Sequence, residues 1–111
     1  MKKLLFSFLF SVVFGLFSSQ SIGLVGDFNS WKNDVVMATT DNITYTKTVT
    51  FSVSGGAKFR QDGAWTTSWG ANAFPSGKGT QNGANIPVPA GTYNVTFNIT
   101  TGEYNFASTI V

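Results

Sequence analysis

Cysteine and histidine are both missing from the 111 residues of this chain, and each absence removes a class of chemistry. Without Cys there is no disulfide to brace a small fold, no thiol nucleophile and no attachment point for a lipid. Without His no His-based catalytic triad can be assembled, and the usual zinc ligand sets are excluded. Charge is scarce as well, at 11% of residues with only five acids. Four of those acids stand in turn contexts, Gly26-Asp27, Asn33-Asp34, Asp41-Asn42 and Asp62-Gly63. A carboxylate pair for glycoside cleavage is therefore arithmetically available, but turn formation is the favoured reading. Asp27, Asn29 and Asp62 are candidate oxygen ligands whose spacing matches no known calcium loop, and no cofactor is expected.

The one long hydrophobic run lies at the beginning. Met1-Lys2-Lys3 is followed by apolar residues from Leu4 to Phe17 and then by small polar residues through Ser21. This is the pattern of a secretory signal peptide, with cleavage expected after Ser21. The run is too short for a comfortable membrane span. Residues 1–21 are thus expected to be a leader, 22–107 a single β-domain and 108–111 a tail or the start of a following module. The product is expected to be exported, whether periplasmic, outer-membrane-associated or extracellular. Five of the eleven Phe would leave with the leader, and so would Lys2 and Lys3. The remainder balances five cations against five acids. A neutral domain of about 90 residues is a poor partner for nucleic acid, whose affinity comes from neutralising phosphates, and for an acidic membrane surface.

What is present is alternation. Ile43, Tyr45, Val49, Phe51 and Val53 share one parity, interrupted by Lys47, while Thr44, Thr46, Thr48 and Thr50 occupy the other. Tyr93, Val95, Phe97 and Ile99 alternate in the same way with Asn94, Thr96, Asn98 and Thr100, and Thr101-Gly102 turns the chain toward Tyr104 and Phe106. Period-two patterning rich in β-branched residues predicts half-buried strands. Shorter strands are expected at Ile22–Val25, at Val35–Ala38, around Lys58 and at Asn85–Val88. The Gly-, Ser-, Asn- and Thr-rich stretch from Ser68 to Asn85 is expected to be a long loop. With no helical period anywhere, the fold class is an all-β sandwich.

The segment Lys58-Phe59-Arg60-Gln61-Asp62-Gly63-Ala64-Trp65-Thr66-Thr67-Ser68-Trp69-Gly70 concentrates binding chemistry. On a strand, Lys58 and Arg60 point to one face and Phe59 to the other. Asp62-Gly63 forms a tight turn that places Trp65 just beyond it. Trp31 lies in the polar run Asn29 to Asp34 rather than in an alternating strand, so at least one of the three Trp is expected to be exposed. An exposed ring beside hydrogen-bonding groups suits a sugar, which offers an apolar C–H face and a rim of hydroxyls. Lys58 and Arg60 are either donors to such hydroxyls or a solvated strand face, and Asn85 offers both donor and acceptor. The sequons at Asn42, Asn94 and Asn98 are an inexpensive pattern in a Thr-rich chain.

Taken in order, Gly26-Asp27-Phe28-Asn29-Ser30-Trp31, Lys58-Phe59-Arg60, Trp65 with Trp69-Gly70, Asn85-Ile86 and Gly91-Thr92-Tyr93 resemble the starch-binding modules of SusE/SusF-type proteins of Bacteroidetes. The first run is also similar to the glycogen-binding modules of branching enzymes and of a kinase regulatory subunit. The resemblance implies an immunoglobulin-like antiparallel β-sandwich that binds α-glucan without cleaving it. It implies Trp31 as the stacking platform, Lys58 as a donor to sugar hydroxyls, Asn85 as their second polar partner and Arg60 as a further donor. Trp65 and Trp69 match the family's aromatic-Gly signature and either stack on sugar or pack the loop. The implied partners are an α-glucan polysaccharide or oligosaccharide, with further modules or a glycan-degrading enzyme alongside. The chain departs from the family in having no lipid-anchoring Cys and a single module. The alternative expectation is a structural or adhesive sandwich that binds a protein partner through Trp65 and Trp69.

Overall fold

A computed structural model of the protein describes residues 20–109. Of the expected leader, only Gln20 and Ser21 fall within that range, and Ile110 and Val111 of the expected tail lie outside it.

The described residues form two antiparallel sheets packed face to face, the all-β sandwich that the alternation predicts. The first sheet holds β1 (Ile22–Gly26), β2 (Val35–Val36), β5 (Gly55–Gln61), β6 (Ser68–Gly70), β8 (Thr80–Gln81) and β9 (Ile86–Val88). Its strands run in the order β2-β1-β5-β6-β8, with β9 paired to the early residues of β5. The second holds β3 (Ala38–Thr39), β4 (Thr44–Phe51), β7 (Ser76–Lys78), β10 (Gly91–Asn98) and β11 (Glu103–Ser108), in the order β3-β4-β10-β11-β7. No helix among the described residues is long and apolar enough to cross a membrane.

Parity decides which side chains meet. Tyr45, Val49 and Phe51 of β4 and Tyr93, Val95 and Phe97 of β10 are buried, while the Thr residues of β4 face outward. On that outer face Thr48 donates to Asn94 at 2.7 Å and the hydroxyls of Thr50 and Thr92 lie 2.9 Å apart, cross-strand pairs of the kind that stabilise a ladder. From the first sheet, Ile22, Leu24, Ala57, Phe59 and Trp69 close the core. Its centre is aromatic. The ring of Phe59 stacks on that of Phe97 across the sandwich, with centroids 4.4 Å apart and planes 16° from parallel. Trp69 meets the same Phe97 edge-on at 5.0 Å.

Three expectations are corrected. Ile43 and Val53 lie outside β4 and are exposed. The strand expected over Val35–Ala38 is two strands: β2 pairs with β1 and β3 pairs with β4, so the chain changes sheets at the buried Met37. A short segment can serve both sheets when it crosses a corner of the sandwich. The stretch 68–85 is not a structureless loop, because it contributes β6, β7 and β8. These are two- and three-residue strands held by backbone pairing, β7 and β8 at sheet edges, and such short segments leave little hydrophobic pattern to read.

Because Phe97 touches both aromatic residues of the facing sheet, Phe97→Ala is expected to cost about 3–5 kcal/mol. Urea unfolding followed by Trp fluorescence measures it.

Candidate functional site

The outward face of β5 carries the site. Phe59 points into the core, so Lys58 and Arg60 point away from it, as their parity requires. A turn at Asp62 and Gly63, both with positive φ (53° and 64°), reverses the chain, and the Ala64 amide donates to the Gln61 carbonyl at 3.1 Å. Two consecutive positive φ values match the twist of the flanking strands. Trp65 follows and lies back over β5: the Arg60 guanidinium is 4.5 Å and the Lys58 ammonium 5.9 Å from its ring centroid. Both are within cation–π range. Trp65 remains half exposed, at 49%.

Arg60 is not a solvated cation. It is 7% exposed, and its Nε and Nη2 donate to the two oxygens of Asp34 at 2.6 and 2.5 Å. That bidentate geometry is the strong form of an ion pair. The Asp34 carboxylate raises the Arg60 pKa further, first through this hydrogen bond. Gly23 lies directly opposite Arg60 on β1. A Cβ there would come within 2.7 Å of the Asp34 Cβ, so the missing side chain is what lets Asp34 reach across.

Trp31 is placed by the turn before it. Asp27–Asn29 form one 3-10 turn, the Asn29 side chain accepts from the Gly26 amide at 2.9 Å, and the Trp31 amide donates to the Gly26 carbonyl at 2.9 Å. Ser30, Trp31 and Asn33 all have φ between 55° and 61°. That region is costly for a side chain as bulky as Trp and persists only where the surroundings over-determine it. Here the indole Nε1 donates to Asp27 Oδ1 at 3.0 Å, and the other oxygen of Asp27 accepts from the Gly56 amide at 2.7 Å. These bonds, the Gly56 one first, hold the Asp27 carboxyl below its ordinary pKa.

The two indoles thereby come together, with centroids 6.0 Å apart and planes inclined by 42°. The result is a bent aromatic surface fastened at one end by Asp27 and at the other by Arg60 with Asp34. It joins Trp31, Lys58, Arg60 and Trp65. Trp69 is excluded: it is directly opposite Phe59 in the β5–β6 pairing, so it shares the inward parity and is only 7% exposed. Stacking on a ligand from that position is therefore corrected to packing in the core. Asn85 is exposed just before β9, beside Gly56, in a groove that neither Trp31 nor Trp65 lines.

Asp27 and Asp34, which the sequence marks as turn formers, support the aromatic pair. Asp27 stands four residues before Trp31, a spacing that only the 3-10 turn makes a contact. Asp34 meets an Arg 26 positions away, for which the sequence carries no signal. Their carboxylates are engaged in separate bonds, and among the described residues no group of three His, Cys, Asp or Glu gathers as for a metal.

Fold and site together define a β-sandwich with a partly exposed, hydrogen-bonded aromatic pair on one sheet. Compared with known proteins, the chain matches no protein-family model, no curated protein and no solved structure.

Two expectations follow. Asp34→Ala leaves Arg60 buried and unpaired, which should cost about 3–5 kcal/mol, whereas the double variant Asp34→Ala/Arg60→Met should recover most of that loss. Chemical denaturation of the three proteins decides it. Because the folded-state pKa of Asp27 is depressed, its contribution is present above the ordinary value of 3.8 and is lost as pH falls through the lower folded value. The Trp31 environment, read by fluorescence, should be constant from neutral pH down to about 4 and change only in stronger acid.

Proposed function

We propose that this protein is a non-catalytic carbohydrate-binding module for α-1,4-glucan, of the kind that the SusE/SusF resemblance implies. The observation that carries the reading is the Trp31–Trp65 pair, with Trp65 exposed and Trp31 half-buried, inclined by 42° and held from both ends. A sugar ring stacks its C–H face on an indole. Successive units of an α-1,4 chain turn relative to one another, so a bent platform suits them, whereas a flat β-1,4 chain asks for coplanar rings. Pre-organisation limits the conformational entropy lost on binding.

Charge supports a neutral ligand. Arg60 is matched by Asp34. Lys58 forms no salt bridge among the described residues, which leaves its ammonium protons for hydroxyls. Hydrolysis needs an acid and a base facing the scissile bond. Asp27, fixed as an anion by two donors, is poorly suited to be that acid. With one or two stacked units, the dissociation constant is expected to be on the order of 0.1 to 1 mM.

One feature favours the alternative of a protein partner. Val36, 58% exposed, lies opposite Gly23 in the same cross-strand row as Arg60 and extends the face with apolar surface.

Native gels cast with amylopectin, with dextran as the control linkage, separate the two. Retardation by amylopectin alone is expected, with Trp31→Ala and Trp65→Ala each weakening it at least tenfold while the variants stay folded by circular dichroism. No retardation in either polymer overturns the glucan reading. Self-association or protein capture abolished by Val36→Asp would then support the alternative.

A further inference from the structure

The aromatic pair leaves part of the surface around β5 unused. There the surface opens into a groove of about 480 Å³ between β5 and β9, lined by Ser54, Gly55, Gly56, Asn85 and residues 87–89. The Asn85 side chain packs onto the backbone of Gly56 there. Gly56 lies opposite the exposed Pro87, and a Cβ on it would come within 2.7 Å of the Asn85 Cβ. The Asn85 amide makes no hydrogen bond to another described residue, so its donors and acceptor are free for a ligand.

One carboxylate, that of Asp27, links this groove to the aromatic site. The Gly56 amide in the groove lining donates to Asp27 Oδ2, and Asp27 Oδ1 holds the Trp31 indole. Gly56, Lys58 and Arg60 are alternate residues of one strand, so they form a column about 13 Å long on one face. Trp65 covers its Arg60 end and the groove forms its Gly56 end.

Resting on the glucan reading above, we infer that the groove takes the further units of the same α-glucan chain whose first units stack on Trp31 and Trp65, so that the module discriminates by chain length. The chain runs along β5. Its apolar C–H faces lie against the rigid rings of Pro87 and Pro89, and its hydroxyls meet Asn85 and Lys58.

Calorimetric titration of the purified protein with maltose, maltotriose, maltopentaose and maltoheptaose tests this. Affinity is expected to rise at least tenfold from maltose to maltoheptaose at one-to-one stoichiometry, more than the few-fold gain from the additional registers of a longer chain. Asn85→Ala should lower maltoheptaose affinity about fivefold and leave maltose unchanged, while Trp65→Ala lowers both. Equal affinity for all lengths, or an Asn85→Ala effect that is nil or the same for maltose, overturns the inference and leaves the glucan reading standing. Failure of every oligosaccharide to bind overturns the glucan reading itself, and the chain-length inference with it.

Discussion

The bidentate pair between Arg60 and Asp34 is the contact on which the outer face of the first sheet depends. It ties the loop that follows β1 to the C-terminal end of β5, across a span of 26 residues. Burying a guanidinium is costly unless its charge and its donors are both satisfied. Asp34 meets both requirements, and the planar cation that results is a platform for the Trp65 ring. Trp65 in turn sets the position against which Trp31 leans. The arrangement would not persist on a flexible loop, because the indoles would collapse against the nearest apolar surface.

Strand β5 joins this face to the interior. Phe59 stacks on Phe97 and fixes the strand relative to the other sheet, while its neighbours Lys58 and Arg60 face outward. Core packing and site geometry are therefore mechanically coupled. A shift of the β5 backbone large enough to disturb the aromatic stack also moves both cations, the Gly56 amide and, through Asp27, the Trp31 ring. Tying the turn-borne Trp31 and Trp65 to groups on a strand is what makes such precision available.

Much of the sandwich was legible in the order of residues. The β4 and β10 strands alternate so regularly that no other secondary structure buries their apolar side and exposes their Thr and Asn side. Asp62-Gly63 likewise announced its turn, and the opposite facing of Phe59 and Arg60 needed only a period of two. The short strands in residues 68–85 were not legible, because their existence comes from backbone pairing with neighbours already in place. The same is true of the break at Met37, where two residues join each sheet.

For the site, composition and parity determined that Lys58 and Arg60 face away from the core and that aromatic residues stand in polar surroundings. They did not distinguish the three Trp from one another. Only the tertiary structure decided that Trp69 belongs to the core, since its parity is set by the strand it pairs with, and that Trp31 and Trp65 meet. It also turned Asp34 and Asp27 from turn formers into supports of the site, and divided Asn85 from the aromatic pair. Side-chain parity is a local property of the chain, fixed by covalent geometry, and can be read along it. A hydrogen bond between residues far apart exists only once folding has brought them within three ångströms.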